Sequence, residues 1–249
     1  MISARNLLYD RLRRPPCKYS VKGSLPVIAF GDLWRAKVAT VGLNPSLQEY
    51  LSKDKSELDG AKRRFETLTS LGAASRDSMS DDQCERVLET MRCYFQPDKP
   101  VYAWFRGLDR VLKGMGFQYE AGSAAHLDLV QEATDPTWSK LQSQDSSALK
   151  DLKASDLPFL KSQIESFELQ ALLCNGRTAF DETVCLLHGR VVDTVEFGSR
   201  NLKVTSASAE VGTRTIAVFG WNMPLARAGL TKQQDTELGE LLANKQRGM

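Results

Sequence analysis

The chain has 249 residues, a formal net charge of +2 and a hydrophobic fraction of 42%. This length fits one α/β domain, or at most two small ones, and it can bury a sizeable core. No run of eighteen apolar residues occurs, which excludes a membrane-spanning segment, and the first residues lack the apolar core of a signal peptide, so we expect a cytoplasmic protein. The five cysteines are scattered without a CxxC pair. They argue against a zinc or iron–sulfur site and for free thiols.

Residues 1–24 form a basic and polar segment in which Arg11, Arg13 and Arg14 lie close to two prolines. This composition favours a solvated, loosely packed N-terminal arm, with a phosphate-contacting arm as the alternative. We therefore predict a basic arm over 1–24 and a single α/β domain over 25–249.

The segment from Val38 to Val41 is a short apolar run typical of a buried strand. It stops at Gly42, and Asn44-Pro45 then forces a turn, because proline fixes its own φ and disfavours the α region for the residue before it. In open α/β sheets, ligands bind at the carboxyl ends of the strands. The sequence therefore predicts that Asn44 lies at a binding edge, although an ordinary strand-to-loop turn fits the same residues.

Helical spacing of apolar residues predicts helices over 84–95 and 102–115, and the pair Trp104–Phe105 is interpreted as core. Further helices are predicted on either side of Pro158, over 179–187 and over 231–249.

Ala124–Val130 reads as a second buried strand, with Asp128 near its end. A carboxylate in such a place is costly to bury unless it is paired or functional. Two more apolar strands are predicted over 169–175 and 213–219, and a short hairpin over 191–206. Four apolar strands separated by helices predict a three-layer α/β/α sandwich with a central, mainly parallel four-stranded sheet.

The sequence Gly42-Leu43-Asn44-Pro45-Ser46 resembles the first active-site motif of the uracil-DNA glycosylase superfamily, closest to the branch with an Asn-Pro-Gly type of loop. The segments 125–130 and 220–227 resemble later motifs of that superfamily and follow in the same order. The resemblance implies a uracil-DNA glycosylase-like fold and an enzyme that flips a base out of DNA and hydrolyses its N-glycosidic bond, leaving an abasic site. It implies DNA as the partner and no metal or cofactor, and we expect a monomer.

The resemblance also implies two catalytic residues. Asn44 would position the attacking water. Asn222 would help the base to depart, although the spacing is one residue short and Trp221 is the alternative at that place. Tyr50 or Phe65 would stack on the extruded base, with helix-core packing as the other interpretation of Phe65.

The remaining site residues follow from the same motifs. Gly42, Leu43 and Ser46 would line the substrate loop. Leu225 or Arg227 would enter the space that the base leaves, with core packing and a surface position as the respective alternatives. Asn175 and Arg177 belong to a strand–glycine–helix segment that resembles the one preceding the last motif of the superfamily. They would contact a phosphate or serve only a structural turn.

Asp128 stands where the superfamily has an Asn that reads the base edge. An ionised carboxylate only accepts hydrogen bonds, and cytosine presents an N4 amino donor. Ser46 is small where the classical uracil enzymes carry a Tyr that guards C5, so the pocket has room for a 5-substituent. Together these residues predict a 5-modified cytosine as substrate, such as the glucosylated hydroxymethylcytosine of phage DNA, and a role in antiviral defence.

Three alternatives remain open from the sequence. Asp128 could cap a helix or pair with an arginine. The enzyme could be an ordinary uracil or mismatch repair glycosylase. The fold could also serve as a DNA-binding module without turnover.

Overall fold

The computed structural model describes residues 4–96, 102–198 and 202–249, and within them six strands form one sheet. The strands are β1 Val38–Gly42, β2 Ala124–Asp128, β3 Ala171–Cys174, β4 Arg190–Phe197, β5 Leu202–Val211 and β6 Arg214–Trp221. Their order across the sheet is β2-β1-β3-β6-β5-β4. The pairs β1–β2, β1–β3 and β3–β6 are parallel, whereas β5–β6 and β4–β5 are antiparallel.

The α/β class predicted from the sequence is confirmed, but the four-stranded sheet is wrong. The four predicted apolar strands form the parallel half, β2-β1-β3-β6. The predicted hairpin does not stand apart from them, because β5 pairs with β6 from Val204↔Trp221 to Val211↔Arg214. The result is a mixed, six-stranded sheet.

Nine helices occur in the described ranges: α1 Ala4–Arg13, α2 Leu68–Leu71, α3 Asp81–Arg92, α4 Ala103–Gly114, α5 Trp138–Gln144, α6 Ser146–Ser166, α7 Arg177–Leu186, α8 Leu225–Ala228 and α9 Lys232–Arg247. The predicted helices that correspond to α3, α4, α7 and α9 are confirmed. None of these helices is long and apolar enough to cross a membrane.

The prediction of two helices separated by Pro158 is wrong, because α6 continues through this proline. A proline inside a helix removes one backbone hydrogen bond and costs about 3 kcal/mol. In α6, the side chains of Phe159, Leu160 and Ile164, which follow this proline in the same helix, are buried. Burial of each such side chain contributes about 1.5–3 kcal/mol, which offsets that cost.

The prediction of a loosely packed N-terminal arm is also wrong for the residues from Ala4 onward. Leu8 and Leu12 of α1 are fully buried in the main hydrophobic core. Arg11 is 2% exposed, and its guanidinium contacts Glu132 at 3.1 Å and Asp156 at 2.9 Å. The arginines of this segment are therefore divided between the protein interior and its surface.

Candidate functional site

A cavity of about 500 Å³ opens at the carboxyl ends of the parallel strands. Its walls come from the loop after β1, from the end of β2, from Asn175 after β3 and from Pro224 after β6. This is the edge at which the sequence predicted a binding site. The segment Gly42–Ser46 and Asp128, which belong to separate sequence motifs, both line the cavity.

The register between β1 and β2 explains how the polar side chains reach this cavity. Thr40 pairs with His126, and Gly42 pairs with Asp128. Residues two apart in a strand point to the same face of the sheet. His126 and Asp128 therefore project together, and the absence of a side chain on Gly42 leaves space beside them.

The Asn44 side chain is held in one orientation. Its Nδ2 donates to the backbone oxygen of Glu132 and to Oγ1 of Thr134, both at 3.2 Å. A backbone carbonyl only accepts hydrogen bonds, so this contact assigns the nitrogen to that side of the amide. Oδ1 forms no hydrogen bond with any residue in the described ranges. It is available as an acceptor at the cavity wall.

Asp128 is 4% exposed and lines the cavity. Its Oδ1 lies 3.4 Å from Nε2 of His126, while Oδ2 is buried and has no hydrogen-bond partner among the residues that the structure describes. Leaving a buried acceptor unpaired costs about 1–3 kcal/mol, and more for a charged group. A bound molecule with a hydrogen-bond donor would remove this cost. Among the described residues, Asp128 pairs with no arginine and caps no helix, in contrast to the alternatives left open by the sequence.

His126 is a site residue that sequence reasoning missed. One ring nitrogen, Nδ1, lies 2.7 Å from Oγ1 of Thr40, which in turn lies 2.5 Å from the hydroxyl of Tyr119. The other ring nitrogen faces Asp128. The i, i+2 spacing of His126 and Asp128 was a usable signal, because it places both side chains on one face of a strand.

Glu49 is a second buried carboxyl group at the cavity, and no sequence motif pointed to it. Tyr94 donates its hydroxyl to both carboxylate oxygens at 3.0 Å, and Nε of Arg64 donates to Oε2 at 3.1 Å. Burial raises the pKa of Glu49 to about 7, against the opposing effects of Arg64 and Tyr94, and the charge of Asp128 adds to the rise. The cavity therefore holds one carboxyl group that changes its protonation near neutral pH.

Aromatic side chains form another part of the cavity wall: Phe30, Tyr102, Trp104 and Phe105. Phe105 is buried as predicted, but the interpretation of Trp104 as core is wrong, because its side chain is 42% exposed and lines the cavity. Its ring centroid lies 5.1 Å from that of His126.

Neither predicted stacking residue lines the cavity. Tyr50 is 2% exposed and donates its hydroxyl to the backbone oxygen of Leu25 at 2.5 Å. Phe65 is 1% exposed and stacks on Tyr94 with a centroid distance of 5.2 Å. Both rings are used in core packing, so the stacking role predicted for them does not fit the structure.

The predicted second catalytic residue, Asn222, lies outside the cavity lining. It is exposed, and its Oδ1 accepts a hydrogen bond from the backbone nitrogen of Lys203 at 3.0 Å. Trp221, the alternative at this place, is buried and donates Nε1 to Oδ1 of Asn175. The loop after β6 thus brings Pro224 to the cavity, but neither of these two side chains.

The residues predicted to contact DNA have mixed environments. Leu225 is buried in the core and Arg227 is exposed, so of these two residues Arg227 is the one accessible to a ligand. Asn175 lines the cavity, but its Oδ1 already accepts from Trp221 and from the backbone nitrogen of Leu225 at 2.9 Å. Arg177 begins α7, is exposed and pairs with Asp181 at 3.3 Å.

The other predicted loop residues lie at the cavity. Ser46 is exposed, lines the cavity and accepts a hydrogen bond from the backbone nitrogen of Gln48 at 3.2 Å. Gly42 and Leu43 line it as well. The small Ser46 side chain is therefore turned toward its own backbone and leaves this wall open.

No protein-family model matches the chain, and no curated protein is significantly similar to it.

Proposed function

We propose that this protein is a DNA glycosylase that receives a flipped base in the cavity beside Asn44 and Asp128. The observation that carries the proposal is that these two side chains, from separate motifs, line one cavity, and each has an acceptor oxygen without a hydrogen-bond partner in the described part of the chain. A volume of about 500 Å³ is within the range of small-molecule sites. The uracil-DNA glycosylase-like arrangement of layers is part of the same proposal.

In this mechanism, Asn44 holds the water that attacks the sugar. Its Oδ1 accepts a hydrogen bond from the water, which leaves a lone pair of the water oxygen directed at C1′ of the flipped nucleotide. The new C1′–O bond forms as the C1′–N bond breaks, and the bonding electrons leave with the base. The proton released by the water ends on the departing base or in solvent, so the products are a free base and an abasic sugar.

Base recognition is assigned to Asp128 and to the aromatic wall. Oδ2 of Asp128 is buried without a partner, and an exocyclic amino group supplies the donor that it lacks. Trp104 replaces Tyr50 and Phe65 as the stacking surface, because its indole is exposed at the cavity. The open wall at Ser46 accommodates a substituent at C5. We therefore propose a 5-modified cytosine, as in phage DNA, with antiviral defence as the biological role.

The first experiment is an abasic-site assay on DNA that contains uracil, cytosine, 5-hydroxymethylcytosine or glucosylated 5-hydroxymethylcytosine. We expect abasic sites only in the modified-cytosine DNA. Asn44→Ala should lower the rate by about 10²–10³, the scale for one positioned polar group, while DNA binding is retained. Asn222→Ala is the matched control, because it removes the same amide outside the cavity, and it should retain activity.

The outcomes separate the parts of the proposal. Release of uracil alone would identify a repair enzyme and contradict the assignment of Asp128. Asp128→Leu, which removes both acceptor oxygens at a similar side-chain size, should lose activity on the amino-bearing base. DNA binding without any abasic sites would show a binding module and overturn the proposed activity.

A further inference from the structure

A second cavity, of about 460 Å³, adjoins the first one. We call it the basic groove. Its lining residues are Gln48, Leu51, Ser52, Lys53, Leu58, Ala61, Lys62, Arg63, Arg64, Tyr94 and Tyr102. Gln48 and Tyr102 line both cavities, so they form a common wall.

The charge of the basic groove is one-sided. Among the lining side chains that the structure describes, four are cationic and none is acidic. Lys53 and Lys62 are exposed, and neither forms an ion pair with any residue in the described part of the chain. Arg63 has only a distant partner, because its Nε lies 3.7 Å from Oε2 of Glu66. The groove thus offers two unpaired ammonium groups and one weakly paired guanidinium group to an anion.

Arg64 stands between the two cavities. It lines the basic groove, and its Nε donates to Glu49, which lines the first cavity. Its guanidinium lies over the ring of Tyr102, 3.7 Å from the centroid, and 4.6 Å from the centroid of Tyr94. Stacking and the ion pair together fix this side chain, so the wall between the cavities has a defined shape.

We propose that the basic groove binds the phosphodiester backbone of the DNA strand that flanks the flipped nucleotide. This inference rests on the proposed function for the occupant of the first cavity. A nucleotide whose base enters the first cavity remains joined to its neighbours through phosphates, and the basic groove is the cationic surface that lies directly beyond the common wall. Unpaired lysines beside the exposed ring of Tyr102 are the combination that binds single-stranded nucleic acid, through charge and stacking.

The test is the salt dependence of DNA binding by the double variant Lys53→Gln/Lys62→Gln. The probe is a fluorescent single-stranded oligonucleotide of unmodified bases, titrated by anisotropy at several salt concentrations. Each lost phosphate contact should reduce the slope of log K against log salt by about 0.7, so the double variant should lose about 1.4. The matched control is Lys140→Gln/Lys150→Gln, which removes the same charge from two exposed lysines that line neither cavity.

A slope equal to that of the control variant would overturn the assignment of the groove. Both double variants should keep the thermal midpoint of the unaltered protein, because all four side chains are exposed. The abasic-site assay on the same proteins separates the two proposals. A reduced slope without any base excision would retain the groove and reject the glycosylase, whereas excision with an unchanged slope would do the reverse.

Discussion

Gly42 and Asp128 are paired across β1 and β2, and a Cβ atom on Gly42 would lie 2.4 Å from Oδ1 of Asp128. The same atom would lie 3.0 Å from both Cε1 and Nε2 of His126. Neither neighbour can move freely, since both side chains are buried. A glycine at this position is therefore what allows the carboxylate and the imidazole to lie side by side at the cavity.

Gly42→Ala should fold but lose base excision. The new methyl group would displace Asp128 from its place, and a displacement of about 1 Å in an active site costs on the order of 10² in rate. Single-turnover rates on the preferred DNA measure this effect, with the thermal midpoint as a check of folding. Gly248→Ala is the control, because its nearest neighbour would be 3.6 Å away. Equal rates for both variants would show that Asp128 does not act at the reacting base.

Thr134 is predicted to be a positioning residue for Asn44. It is 1% exposed, and its Oγ1 accepts one of the two hydrogen bonds that hold the Asn44 amide. Thr134→Val keeps the shape and removes this acceptor, which costs about 0.5–1.5 kcal/mol and should lower kcat about three- to tenfold with KM unchanged. Thr134→Ser restores the hydroxyl and should restore kcat. A loss of kcat that serine does not rescue would indicate a packing role only.

The short apolar strands and the sharp turns after them could be predicted from the sequence. β1 and β2 are buried along their whole length, so their apolar composition directly indicates a position inside the sheet. The positions of Asn44 and Asp128 at the binding edge could be predicted because both residues lie where these strands end. β4 was harder to place in the sheet, because most of its residues are exposed and its composition carries no core signal.

The errors at the site arise where side-chain direction decides the role. Tyr50 and Phe65 have rings that are suitable for stacking on a base, but tertiary packing directs them into the core. There Phe65 packs against both Tyr50 and Tyr94. The segment Trp221–Arg227 has the expected residue types, but the structure buries Trp221 and exposes Asn222. In α1, the i, i+4 pair Leu8 and Leu12 was a helical core signal that the surrounding arginines obscured.

Glu49 should make the stability of the protein depend on pH. Its pKa is raised from 4.5 to about 7 in the folded state, chiefly by burial. Between these values the folded protein keeps a proton that the unfolded chain has released. The stabilisation present below pH 4.5 is therefore lost as pH rises through about 7, and it amounts to about 3 kcal/mol.

Glu49→Gln removes this titration, so its stability relative to the unaltered protein should rise between pH 5 and pH 8. The measurement is the free energy of unfolding in urea at both pH values. Glu120→Gln, which changes an exposed glutamate on the surface, should show no such difference. An identical pH dependence for the protein with and without Glu49 would contradict the raised pKa.

Buried ion pairs of Arg11 hold α1 against the rest of the protein. Arg11 donates to both carboxylate oxygens of Asp156, at 3.0 and 2.9 Å, and Glu132 also receives two hydrogen bonds from Arg76, at 2.8 and 2.9 Å. Burial opposes ionisation of Glu132, but the hydrogen bonds and charge of Arg76 hold its pKa below the usual value. Removing Arg11 therefore leaves Asp156, more than Glu132, without a counter-charge.

Arg11→Met should destabilise the protein by about 3–5 kcal/mol, the cost of leaving a buried charge uncompensated. Urea unfolding measures this loss, and Arg14→Met, at an exposed position, should change the free energy of unfolding by less than about 0.5 kcal/mol. The double variant Arg11→Met/Asp156→Asn should recover part of the loss, because the amide oxygen can still accept from the backbone nitrogen of Gln131 without a buried charge. If Arg11→Met were as stable as Arg14→Met, α1 would contribute little to the folded state and the buried ion pairs would not anchor it.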